Sequence, residues 1–397
     1  MTLRFFGAPK TSFLVLEVFK DRTNALTFYL DSENNAIFGK FRENISIQDI
    51  KTKKIFRRSV KNMIIAADFS AAYTALVPIK AERDNPTEPL SGTELENLLA
   101  QAVGKTFNQC RLVAARELGV DDLNIVLVNS RVVNFKLDGH RVLNPLGFQA
   151  DEVEAVLELT LTTREVLERI QAIFRSSGIE RFLGEAAENE RQPFFFTEIS
   201  RSALLVLQRV RDLPLGLVFV GREESMLATA QKAAVGEIIH RVRLRWGQES
   251  FLDVIRKEWT ITPEIAEKIY KLYIRGDLSP KVNGFLRRLL EPPRDWLWQE
   301  LARAKCFGRI FLASPDELPF TFPVRKKNLV ADLPPIEEIL RHFGLNLDLG
   351  AWPLQPYAVF RLLAPVLESY GDKSDSTINR WLRRRLSWLG PVRGKSL

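Results

Sequence analysis

Acidic residues are missing from the last twenty positions of the chain, INRWLRRRLSWLGPVRGKSL, and several chemically useful residue types are scarce throughout. There are two cysteines, Cys110 and Cys306, which excludes a disulfide framework; each reads as a small buried apolar side chain in a reducing compartment. The three histidines, His140, His240 and His342, have no cysteine or second histidine near them in sequence. That spacing argues against a zinc site and against a histidine-assisted nucleophile. No apolar run approaches the roughly 18 residues needed to cross a bilayer. FLVLEVF (13–19) and LPLGLVFVG (213–221) are strand-sized. The first block carries no small-residue cleavage site, so a secreted protein is not expected. Phosphate-binding signatures are missing too, since neither G-x-G-x-x-G nor G-x-x-x-x-G-K-[S/T] occurs.

What is present is an ordinary globular composition, 397 residues with 46% hydrophobic and 27% charged side chains, enough for two or three packed units. The 57 basic residues exceed the 49 acidic ones, but six of them follow Thr377, so the remainder is nearly balanced. Basicity is therefore a property of the tail, and a broad nucleic-acid groove is not expected.

On a helix at about 100° per residue, Ile378, Trp381, Leu382, Leu386, Trp388 and Leu389 fall within an arc of about 160°. Arg380, Arg383 and Arg384 take the other side; Arg385 falls inside the arc, where its long stem can carry the charge outward. Gly390-Pro391 ends the pattern. It suits a helix lying in a membrane interface, each arginine contributing about 1 kcal/mol beside anionic lipid. A last helix packed on the body, or a tail for nucleic acid, would use the same residue types.

Strand-like and helix-like segments alternate along the chain, which predicts an α/β fold with mixed sheets. Strands are expected at Phe13–Phe19, Ala25–Leu30, Met63–Ala67, Asn124–Asn129, Val132–Leu137, Val153–Leu161, Gly216–Val220 and Arg309–Ala313. Helices are expected at Thr93–Leu118, Thr163–Ser176, Ile199–Arg211, Val235–Trp246, Pro263–Ile274, Val282–Ala304 and Ile336–Phe343. Ser91 before TELE and Thr262 before Pro263 are start signals. AERDNPTEP (81–89) and GDKSDS (371–376) read as connectors. Trp296 and Trp298, two apart, cannot share one helix face and stay unassigned.

From Asn62 to about Leu183 the order of segments resembles FtsA, the actin-like protein that tethers the bacterial division ring to the membrane. The match runs through NMIIAA, TELENLL, LNIVLVNSRVVNFKLDGHRVLNPLGF and VEAVLELTLTTREVLERIQAIFRSSGIERF, with Asn144, Pro145, Leu146, Gly147 and Phe148 reproducing a family connector. The tail is similar as well, since Trp381–Leu389 has the flavour of the family's membrane-targeting helix.

The resemblance implies an actin-like, ribonuclease H-like two-lobed fold with an inserted α+β subdomain of SHS2 type and a C-terminal amphipathic helix. The first lobe would comprise 1–77 and 163–210, the insert 78–162, the second lobe 211–370, a linker 371–377 and the membrane tail 378–397. It implies a peripheral protein on the inner face of the cell membrane, with an anionic lipid surface, division-ring or other cytoplasmic proteins and further copies of itself as partners. PilM-like pilus adaptors share the body plan but lack the terminal helix, so the tail favours the division-type reading.

Actin-fold ATPases hold nucleotide on two hairpin turns of small residues, each with an acidic side chain, and a Gly-Gly turn beneath the adenosine. In this chain the first turn would be Phe19-Lys20-Asp21-Arg22 after Glu17, with Lys20 and Arg22 still able to reach a phosphate. In the second, Phe219 stands at the expected aspartate and Gly221 precedes Arg222-Glu223-Glu224, whose carboxylates would repel a triphosphate. The third reads Ala313-Ser314-Pro315, and proline removes an N–H. Three degraded turns predict a non-catalytic pseudo-ATPase with no cofactor and no efficient binding of magnesium and ATP.

Two other classes are weighed beside this scaffold. An enzyme would draw metal ligands from Asp68, Glu82, Asp84, Asp121, Asp122, Glu223 or Glu224, residue types that are more often solvated caps. A nucleic-acid binder would rest on the tail and on KTKKIFRR (51–58); no nucleic-acid partner is expected.

Overall fold

The computed structural model describes residues 11–45, 62–177, 194–347, 356–371 and 379, apart from 32, 234–235, 307 and 321. Strands β1 (Thr11–Val18), β2 (Thr23–Leu30), β3 (Asn35–Arg42) and β4 (Asn62–Ala67) lead into β5 (Ala72–Glu82) and helix α1 (Gly92–Leu118). Next come β6 (Ile125–Leu137), β7 (His140–Val142), β8 (Glu152–Thr163) and α2 (Arg164–Ser177). β9 (Phe194–Glu198) and α3 (Ile199–Leu207) precede β10 (Leu215–Phe219), β11 (Ser225–Ala233) and β12 (Gly236–Leu244). Helices α4 (Glu249–Trp259), α5 (Pro263–Arg275), α6 (Pro280–Leu289) and α7 (Glu291–Arg303) follow. The chain closes with β13 (Gly308–Ala313), β14 (Val324–Lys326), β15 (Leu329–Asp332), α8 (Ile336–His342), β16 (Asn346–Leu347) and α9 (Pro356–Gly371).

One strand order occurs twice. The first sheet runs β16-β3-β2-β1-β4-β9 and the second β12-β11-β10-β13-β15-β14. In each, a three-strand antiparallel meander is extended from its first strand by two parallel strands. This duplicated arrangement is the actin-like, two-lobed α/β fold. Residues of α3, α8 and α9 pack with apolar side chains of both sheets in one core that includes Val15, Ile64, Leu217 and Phe360.

The third sheet, β5-β8-β6-β7, is antiparallel and forms the inserted α+β subdomain with α1. Leu95, Leu99, Val103, Phe107, Cys110, Ala114 and Leu118 recur every three or four residues along α1, one apolar stripe set against Leu157, Leu159 and Leu161 of the central strand. Ser91 Oγ accepts the Glu94 N–H at 3.2 Å, and Gly119, at φ 65°, takes the left-handed conformation that closes the helix.

Several elements differ from the sequence expectations. Val235–Trp246, expected as a helix, contains β12, which pairs with β11 along its whole length, so ladder hydrogen bonds override the amphipathic pattern. The helix expected at Val282–Ala304 breaks at Leu290, because Pro292 and Pro293 lack the N–H groups that continuation needs and suit the first turn of α7 instead. Trp298 then faces the core while Trp296 is exposed. The strands expected at Asn124–Asn129 and Val132–Leu137 are one strand, β6, whose pairing with β8 shifts register twice. β16 pairs with β3 of the first sheet, and α9 packs on α3, on β1 and β4 of the first sheet and on β13 of the second. Among the described residues, no helix is long and apolar enough to cross a membrane.

Candidate functional site

Helix α9 reads PYAVFRLLAPVLESYG, an apolar segment with one arginine, Arg361, and one acid, Glu368, seven residues later. The Arg361 side chain is fully buried. Its Nε donates to Glu17 Oε1 at 3.0 Å and its Nη2 to Asp68 Oδ2 at 2.8 Å. Parallel pairing of β1 with β4 brings the two acids together: Glu17 is the penultimate residue of β1, and Asp68 follows the last residue of β4. Asn24 Nδ2 donates to the second Glu17 oxygen at 2.9 Å.

Aromatic side chains from both lobes flank the guanidinium. Arg361 Cζ lies 5.3 Å from the Phe19 ring centroid and 5.9 Å from that of Phe219, at the end of β10. Burial works against the charge on Arg361, but Glu17 and Asp68 together raise its pKa above the ordinary arginine value. The guanidinium therefore stays protonated, its charge offset by carboxylates within hydrogen-bonding distance.

The turns anticipated as nucleotide loops converge on this point, where several of their polar groups make local contacts. Arg22 lies over the Phe19 ring at 4.6 Å, and the Lys20 N–H donates to Ser70 Oγ at 3.3 Å. Gly221 is required by packing: a Cβ there would sit 2.2 Å from the Glu224 carbonyl oxygen and 3.2 Å from Phe69. Arg222 pairs with Glu249 at 3.2 Å, and Glu224 with Arg243 at 3.0 Å. Ser314 is buried, and its Oγ accepts the Asp316 N–H at 3.3 Å. Burial pushes the Asp316 carboxyl up, with Arg22 the main opposing charge.

These residues do not fit a magnesium nucleotide. Glu17 and Asp68, the acids at this point, already neutralise Arg361, and Phe219 supplies no carboxylate. Sequence reasoning placed Glu17 and the three turns here but missed Asp68 as its partner and missed Arg361 altogether. The available signal was a lone arginine in an otherwise apolar segment, a pattern that calls for a buried counter-charge.

A second buried network joins the subdomains. Glu158 on β8 ion-pairs with Arg131 of β6 at 2.6 Å and with Arg201 of α3 at 2.7 Å. Arg131 also pairs with Glu368 of α9, whose other oxygen accepts from Thr197 at 3.0 Å and Ser202 at 2.5 Å. From the second lobe, Arg241 of β12 reaches Glu198 at 2.7 Å. The insert, α9 and both lobes are thus tied by charge as well as by apolar packing.

No group of three or more His, Cys, Asp or Glu residues that could hold a metal occurs among the described residues. Of the residues anticipated to bind membrane, Ile378, Trp381, Leu382, Arg383, Arg384, Arg385, Leu386, Trp388 and Leu389 lie outside the described residues, as does the basic stretch 51–58.

No family model matches the chain, and no curated protein matches it in sequence. Solved structures do match in fold. The structure of a PilM-PilN type IV pilus biogenesis complex aligns over 91% of this chain and 99% of the matched chain at 14% identity, with a TM-score of 0.53. A diol dehydratase-reactivating factor in nucleotide-free form aligns over 91% and 100% at 8% identity with a TM-score of 0.42. The ethanolamine utilization protein EutJ from Carboxydothermus hydrogenoformans aligns over 91% of each chain at 10% identity with a TM-score of 0.40. At these identities the likeness is one of fold.

Proposed function

We propose that this protein is a non-catalytic actin-fold adaptor that gathers protein partners at an anionic membrane surface on the cytoplasmic side. The observation that carries the reading is the chain's own Arg361, fully buried beside Phe19 of one lobe and Phe219 of the other and held by Glu17 and Asp68. Acids spent on an internal ion pair leave the surfaces of the fold, the inserted subdomain and the basic tail to supply the function. The tail supports a division-type scaffold resembling FtsA, with self-association a further expected contact.

A second reading, an adaptor in pilus or secretion assembly, is favoured by the likeness to the PilM-PilN structure over nearly all of that chain. Two measurements test the proposal. Isothermal titration with ATP and magnesium is expected to give no binding tighter than ~1 mM; micromolar affinity would restore an active ATPase. Co-sedimentation with anionic vesicles is expected for the full chain and not for residues 1–377, whereas pelleting of neither would turn the proposal toward the pilus-type adaptor.

A further inference from the structure

After α9 ends at Gly371, the next described residue, Asn379, is only 4% exposed. The Val132 N–H of β6 donates to Asn379 Oδ1 at 2.8 Å, and Asn379 Nδ2 donates to the Val132 carbonyl at 3.4 Å. The side-chain amide thus pairs with both polar groups of one strand residue. The neighbouring strand residue, Arg131, holds Glu368 of α9. Two adjacent positions on β6 therefore grip the chain on either side of the stretch expected to be a linker.

Position along the strand explains why β6 can accept this contact. β7 pairs only with Phe135–Leu137, so its ladder stops short of Val132. An uncovered strand edge presents N–H and C=O groups that seek partners, and the Asn379 amide supplies both. Charge favours the same contact over a longer range. Residues 78–162 contain thirteen acidic and eight basic side chains, whereas the chain after Thr377 has six basic residues and no acid. An acidic subdomain thus holds the start of a basic, amphipathic segment.

We propose that Asn379 is a latch that docks the C-terminal segment on the β6 edge of the inserted subdomain, and that an anionic lipid surface competes with this docking. The proposal rests on the membrane reading of the tail. A segment held to a strand through Asn379 cannot lay its whole apolar arc on a bilayer, and its arginines cannot face the acidic subdomain and lipid headgroups together.

The experiment compares the full chain with Asn379→Ala, using hydrogen exchange at the Val132 amide and sedimentation with phosphatidylcholine vesicles with and without phosphatidylglycerol. Without vesicles, Val132 is expected to be protected in the native chain and to exchange at least tenfold faster in the variant. The variant is expected to bind anionic vesicles several-fold more tightly, and vesicles should strip protection from Val132 in the native chain. Equal or weaker vesicle binding by the variant, or a Val132 amide still protected on vesicles, overturns the latch while leaving the membrane reading intact. If neither chain sediments with anionic vesicles, the membrane reading fails and the competition fails with it. An unprotected Val132 amide in the native chain would overturn the docking itself.

Discussion

Arg361→Ala is expected to lower the stability of the protein by about 3–5 kcal/mol, the range for removing one partner of a buried ion pair. The loss comes less from the attraction removed than from what remains. Glu17 and Asp68 are each nearly fully buried, and without the guanidinium they keep the hydrogen bonds from Asn24 and the Ser70 N–H but lose their counter-charge. Adding Glu17→Gln to the variant should therefore recover part of the loss, and Arg361→Lys, with one compact charge in place of a planar fork, should fall between. Urea unfolding followed by tryptophan fluorescence measures all of these. A loss below about 1 kcal/mol for the alanine variant, the range of an exposed pair, would show that Arg361 does not hold the cleft.

The second large effect is expected at Glu158, which sits between Arg131 and Arg201 with Glu368 on the far side of Arg131. Burial alone would raise its pKa, but the two arginines outweigh burial and bring it from 4.5 to about 2. A carboxylate depressed on folding contributes stability that is fully present above its unfolded value and is lost as pH falls through its folded value. The contribution is about 3 kcal/mol at neutral pH, draining away between roughly pH 4.5 and pH 2. Glu158→Gln should remove about 3–5 kcal/mol at pH 7 by leaving the arginines short of a counter-charge. It should also flatten the acid limb by about one proton. Unfolding free energies at pH 7, 4 and 3 provide the check, and parallel acid limbs for the two proteins would contradict it.

Both networks depend on α9, which no sequence signal marked as a helix. Its apolar residues run PYAVF and LLAPVL with a proline inside, so periodicity did not separate it from a buried strand or loop. The meander strands β3, β11 and β12 were also hard to read, because a strand paired on both sides, or one in a twisted hairpin, takes stability from ladder hydrogen bonds that leave no fixed period. The long helix α1 was legible for the opposite reason: a stripe at regular spacing, a serine cap and a closing glycine all lie within one segment.

Local chemistry in the sequence was enough to determine the α/β alternation, α1 and β8 of the inserted subdomain and the basic charge of the tail. Each of these follows from residues close together in the chain. Tertiary structure alone decided how these buried charges are paired, because Glu17, Asp68 and Arg361 meet only after β1 and β4 pair in parallel and α9 folds back across them. The same holds for Asn379 on Val132, an amide that finds its partner across the fold. A buried charge or amide is stabilised by whatever faces it, and which groups face each other is settled by packing between segments far apart in sequence.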